Sequence, residues 1–110
     1  MKKIIFIIIG ILTFSRLFAQ DINLSSLTPM PTSRYGMCSV VYDDKIWIMG
    51  GKDENDNTLN TVECFYPVEN RWDADVPNLQ TNRFNAAAVV YEDRIYIIGG
   101  RDENGALQGA

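Results

Sequence analysis

The sequence predicts an all-β fold built from repeated units of four antiparallel strands. Two observations carry this. The 110-residue chain matches itself without a gap at a shift of about 49 residues. Short runs rich in Val, Ile and Tyr alternate with polar turns, and in each copy one such run closes on a diglycine, Gly50-Gly51 or Gly99-Gly100.

The self-match is dense. Arg34-Tyr35 falls on Arg83-Phe84, and the run from Val40 to Gly51 falls on the run from Val89 to Gly100. Asp53-Glu54-Asn55 falls on Asp102-Glu103-Asn104. Within the first copy, Cys38 to Tyr42 reads as a strand and Asp43-Asp44-Lys45 as a turn. Ile46 to Met49 is wholly apolar, which predicts a second strand buried on both faces. The two glycines that end it permit backbone angles or close approaches that a Cβ would forbid. Thr61 to Phe65 is a third strand, Tyr66 to Asn70 a turn, and Arg71 to Asp73 a short fourth strand. Four antiparallel strands per period of about 50 residues describe a blade of a β-propeller.

These residues resemble the kelch repeat family. The marks are an Arg opening each unit (Arg34, Arg83), the diglycines, and an aromatic residue seven positions before a Trp (Phe65, Trp72). The segment from Val62 to Trp72 is similar to the family's Val-Glu-x-Tyr-Asp-Pro-x-x-Asn-x-Trp, with Phe65 in place of Tyr and Tyr66 in place of Asp. Leu27 to Pro31 resembles the run-in to the Arg. The resemblance implies an incomplete kelch-type propeller: a first repeat with its linker over residues 34–82, and a second, truncated repeat over 83–110. A propeller closes with roughly 4–8 blades, so further blades are needed to complete the ring.

Residues 1–19 read as a signal peptide. Lys2 and Lys3 precede an apolar run from Ile4 to Phe14, and Phe18-Ala19 offers a cleavage point. A membrane span needs about 20 apolar residues, so no stable membrane anchor is expected. Residues 20–33 form an N-terminal segment. Within it, Ile22-Asn23-Leu24 occupies the place of a fourth strand and reads either as a ring-closing strand or as a disordered tail. Export places the chain in the secreted or periplasmic space, and the resemblance implies a bacterial source.

Charge and composition narrow the function. The formal net charge of −4 becomes about −7 without the leader, which disfavours binding to nucleic acid. The chain has no histidine, so within these residues there is no Ser-His-Asp site and no imidazole-ligated metal. No cofactor and no metal are expected. Asp53, Asn55 and Asn57 begin with calcium-loop spacing, but Thr58 stands where Gly is needed and Cys64 where the closing Glu belongs. Cys38 and Cys64 are an even pair in an exported chain, which favours a disulfide. Strand order opposes it, because a strand between them sets them about 10 Å apart, beyond the ~7 Å limit of a disulfide.

In an antiparallel blade, the loop entering the first strand and the loop leaving the second lie at one end of the ring. That end collects Tyr35, Lys52, Asp53, Asn55, Arg101 and Asp102 as ligand-binding candidates, with Lys52 and Arg101 able to face an anionic group. Arg34 and Arg83 recur at equivalent places and read as structural, with Gly50, Gly51, Gly99, Gly100, Phe65 and Trp72. Trp47, Trp72, Tyr96, Phe65 and Tyr66 suit either carbohydrate stacking or packing between blades. The expected function is an exported binding module that recognises a protein or carbohydrate ligand, rather than an enzyme. The resemblance also implies two enzymatic alternatives: a periplasmic sialic-acid mutarotase, and a copper-radical oxidase whose His ligands are missing here.

Overall fold

The computed structural model describes residues 26–110. The expected signal peptide and the segment Ile22-Asn23-Leu24 lie outside the described residues. Six strands follow in order: β1 (Cys38–Tyr42), β2 (Lys45–Met49), β3 (Val62–Tyr66), β4 (Arg71–Asp73), β5 (Ala87–Tyr91) and β6 (Arg94–Ile98). The first four form one antiparallel sheet in sequence order, and β5 and β6 form a separate hairpin. This is one four-stranded blade followed by the first two strands of the next.

Two strands differ from expectation by one residue at their ends. Lys45 belongs to β2, because the β1–β2 turn holds only Asp43 and Asp44, and Tyr42 pairs directly with Lys45. Both turn residues have positive φ (54° and 56°), and so do Glu92 and Asp93 in the equivalent turn (45° and 58°). Two left-handed residues in a two-residue loop make a type I′ turn, whose twist matches that of the flanking strands. The third strand runs Val62–Tyr66 rather than Thr61–Phe65, since Tyr66 pairs with Arg71 while the Thr61 carbonyl accepts from Gly50 N–H at 3.0 Å.

The strand register decides which side chains meet. Cys38, Val40, Trp47, Met49, Val62 and Cys64 project from one face of the blade. Cys38, Met49 and Val62 are buried there, under Ala86, Ala88, Ile95 and Ile97 of the second hairpin and Val76 and Leu79 of the linker. The opposite face holds buried Ile48 and Phe65. Burial of β2 on both faces holds at Ile48 and Met49, whereas Ile46 and Trp47 are half-buried. In β6 the expectation fails on one face: Tyr96 and Ile98 are 39% and 50% exposed. Their equivalents in the first blade are covered only because a second blade follows.

Candidate functional site

The ends of the two hairpins are fixed by the diglycines. Gly51 has φ +94°, and a Cβ there would stand 2.6 Å from the Tyr35 carbonyl oxygen. Only glycine allows that approach, which brings the chain entering β1 against the chain leaving β2. Tyr35 and Lys52 then exchange two backbone hydrogen bonds, of 2.9 and 2.8 Å, and Phe84 and Arg101 exchange two of 2.9 Å. Gly51 N–H also donates to the Arg83 carbonyl at 2.9 Å, joining the first unit to the second.

Lys52, Phe84 and Arg101 are thereby linked across the two units. The Lys52 ammonium lies 4.5 Å from the centre of the Phe84 ring, a cation–π contact between blades. Tyr35 is 53% exposed, and its hydroxyl donates to the Asp56 carboxylate. Arg101 is exposed and donates from Nη1 to the Gly105 carbonyl at 2.7 Å. Sequence reasoning singled out Lys52 without its ring partner Phe84, and Tyr35 without Asp56. The self-match placed Phe84 opposite Tyr35, and that was the available signal.

The loops beyond the diglycines are organised by their aspartates. Asp53 Oδ1 accepts from the N–H groups of Asn55 and Asn57, each at 2.9 Å, and Oδ2 accepts from the Asn57 side-chain amide at 3.0 Å. These bonds, led by the Asn57 side-chain amide, hold the Asp53 carboxyl below its ordinary range. Asp102 repeats the motif with Asn104 and Ala106 at 2.9 Å, and Gln108 Nε2 reaches its second oxygen at 3.2 Å. Both carboxylates thus spend acceptor sites on their own loops. What remains outward is Glu54, Asn55, Asp56 and Asn57 on the first loop and Glu103 and Asn104 on the second. Beside the second loop opens a polar depression of about 300 Å³ lined by Thr81, Asn82, Asp102, Glu103 and Gln108. Among the described residues no cluster of three or more acidic or Cys side chains is arranged to hold a metal ion.

The recurrent arginines are turned inward. Arg34 Nη1 donates to the carbonyls of Gly50 (2.9 Å) and Thr61 (3.1 Å), and Nη2 pairs with Glu63. Arg83 Nη1 donates to the carbonyls of Gly99 (3.1 Å) and Gly109 (2.6 Å). Each guanidinium clasps the strand end that its own diglycine terminates. The aromatic residues divide. Phe65 is buried and packs on Trp72 with ring centres 4.9 Å apart, and the Trp72 indole N–H donates to the Thr28 carbonyl at 2.8 Å. Trp47 is half-buried and donates to the Tyr42 carbonyl at 3.1 Å. Tyr66 is half-buried, with the Arg71 guanidinium 3.7 Å from its ring centre.

Comparison with known proteins gives a consistent result. The family model described as the kelch motif matches residues 33–74 and 82–109. Kelch-like protein 23 of Mus musculus is 33% identical over 64 residues, covering 57% of this chain and 10% of the relative. Kelch-like protein 41 of Rattus norvegicus is 39% identical over 69 residues, covering 56% of this chain and 11% of the relative. A solved structure, that of YjhT, superposes with a TM-score of 0.62 at 23% identity, covering 71% of this chain and 24% of that one. The chain therefore spans about a tenth of the curated relatives' length, and its likeness to the solved structure concerns the fold. With paired diglycines, inward arginines and a four-stranded blade all in register with the matched motif, the chain belongs to the kelch family of β-propellers.

Proposed function

We propose that this chain is exported and serves as part of a propeller that binds a protein or glycan through the loops at one end of its blades. The observation that carries the reading is the loop end itself. It combines exposed Tyr35, the Lys52–Phe84 pair, exposed Arg101 and two aspartate-braced loops, the second of them beside a polar depression. Braced loops present side chains at low entropic cost, and an aromatic face beside amides and carboxylates suits a sugar ring or a polar peptide. Phe65 and Trp72, packed on each other, take no part in it.

Export rests on the leader-like residues 1–19. Binding of the purified chain to a panel of glycans and extracellular proteins, compared with Tyr35→Ala and Asn55→Ala variants, tests the role of the loops. A ligand lost in both variants, with thermal stability unchanged, supports the reading. Binding that survives both, or that is lost instead on changing Val68 at the opposite end, would sink it.

A further inference from the structure

We infer that Asn104 is a site of spontaneous deamidation, and that the isoaspartate it yields unfastens the second of the two aspartate-braced loops. Asparagine is a chemically labile residue. Its reactivity is set by the main-chain nitrogen that follows, because that nitrogen attacks the side-chain amide carbon and a Cβ on the next residue hinders the approach. Asn104 alone among the asparagines of the chain precedes a glycine. The two loops make a matched pair. In each, the leading aspartate accepts on Oδ1 from the N–H groups two and four residues on. In each, its carbonyl accepts from the N–H three residues on, Asp56 to Asp53 at 3.1 Å and Gly105 to Asp102 at 3.0 Å. Asn55 and Asn104 hold the same place, and both are exposed, Asn55 although a second unit follows it. The residue behind each is left-handed, Asp56 at φ 66° and Gly105 at φ 77°. The difference lies at the nitrogen: Asp56 sets a Cβ beside it, whereas Gly105 leaves it bare, with no atom within 4 Å of where a Cβ would stand. The Asn104 side-chain amide, unlike that of Asn57, has no hydrogen-bond partner among the described residues.

One bond restrains the reaction. Gly105 N–H must first leave the Asp102 carbonyl, which an exposed loop does by local opening. The Gly105 nitrogen then gives its proton to solvent base and bonds to Asn104 Cγ. The Cγ–Nδ2 bond breaks, and that nitrogen departs as ammonia. Water opens the cyclic imide at either of its carbonyls, giving aspartate or isoaspartate, and nothing is oxidised or reduced. In isoaspartate the main chain runs through Cβ and is one atom longer, and a free carboxylate stands beside Asp102 and Glu103. The N–H groups of residues 104 and 106, which now meet on Asp102 Oδ1 at 2.9 Å each, lose their common register. Like charge opposes their return. The inference concerns the chemistry of the loop and stands independently of the binding role proposed above.

The test incubates the full chain in mildly alkaline buffer and follows each asparagine with time by peptide mass spectrometry, using fragmentation that separates isoaspartate from aspartate. Asn104 should convert several-fold faster than Asn55, with isoaspartate the larger product. Denaturant should speed the conversion, since it frees Gly105 N–H from Asp102. Gly105→Asp copies the first loop, where Asp56 already holds the left-handed conformation, and should slow conversion to the rate of Asn55. Hydrogen exchange on the incubated protein should be faster at residues 104 and 106 in the isoaspartate form. Asn104→Asp adds the charge without the extra main-chain atom and should keep exchange there slow. Conversion of Asn55 as fast as that of Asn104, equal rates with and without denaturant, a Gly105→Asp variant that converts at the wild-type rate, or unchanged exchange in the isoaspartate form would overturn the inference.

Discussion

The guanidinium of Arg34 and the carboxylate of Glu63 meet at 3.1 Å with 0% and 3% of their side-chain surfaces open to water. Burial of either charge alone is costly, so the pair holds only while both members are present. The same guanidinium also occupies the carbonyls of Gly50 and Thr61. The ion pair therefore ties β3 to the end of β2 from the side.

Removing one partner leaves an uncompensated buried charge. Glu63→Leu and Arg34→Met should each destabilise the fold by about 3–5 kcal/mol. The double variant Arg34→Met with Glu63→Leu should recover part of that loss, because no buried charge is left. Recovery stays partial, because the Gly50 and Thr61 carbonyls lose their donor in either case. Urea unfolding midpoints at one fixed protein concentration would measure this cycle. Additive losses would mean that the two side chains are not coupled.

The role of Arg34 in the sequence was legible from its recurrence at Arg83, whereas Glu63 was not. A glutamate inside an otherwise apolar strand looks like a solvent-facing position, and only the register opposite Ile48 places it under Arg34. The blade was legible because a self-match carries pattern, spacing and glycine chemistry at once. The loop end was legible from strand direction. Its internal bonding was not, because Asp53 and Asp102 read as outward charges until the N–H groups two and four residues on are seen to converge on them. The one-residue offset at β2 came from the type I′ turn. Asp-Asp and Glu-Asp are weak signals for it beside Asn-Gly.

Acid should release the first loop. Asp53 accepts from the Asn57 side-chain amide and from the N–H groups of Asn57 and Asn55, and its carboxyl is held below the ordinary value of 3.8. A folded-state pKa below the unfolded one contributes stability at pH above the unfolded value, and that contribution is lost as pH falls through the folded value. Following the Asn55 and Asn57 amide resonances by NMR as pH falls should give a shared midpoint below 3.8. Asp53→Asn should abolish that transition. A midpoint at or above the ordinary value would show that the loop bonds do not hold the carboxylate.

The hairpin turns leave stability to be gained. Asp43, Asp44, Glu92 and Asp93 all hold positive φ, a conformation that costs an L-residue roughly 1–2 kcal/mol. Glycine adopts it freely but loses more chain entropy on folding. Replacing Glu92→Asn together with Asp93→Gly should therefore stabilise the second hairpin by about 0.5–1 kcal/mol. The same pair at the first turn, Asp43→Asn with Asp44→Gly, should also help, less the Lys45–Asp43 contact of 3.0 Å. That exposed ion pair contributes little. A lower midpoint of unfolding for the second-turn variant would argue that the carboxylates there are held by contacts that outweigh backbone strain.

The cysteines should stay reduced in an oxidising medium. Both are free and buried, Cys64 with no exposed surface and Cys38 at 6%. Cys38 pairs across the sheet with Met49 on β2, and Cys64 pairs with Trp47 on the opposite edge of that strand. With β2 between them and their β2 partners two residues apart, the two Cα atoms are separated by at least two strand spacings, about 10 Å, against a limit of about 7 Å for the Cα atoms of a disulfide. Backbone hydrogen bonding on both edges of β2 fixes that distance. Burial pushes both thiols above their ordinary pKa, so neither is a ready nucleophile at neutral pH. Alkylation of the native protein at pH 8 should therefore label neither residue, and alkylation in denaturant should label both. Mass spectrometry of an unreduced digest should find no linked peptides. A linked pair containing Cys38 and Cys64 would require β1 and β3 to be neighbours, which would break the blade order at its centre.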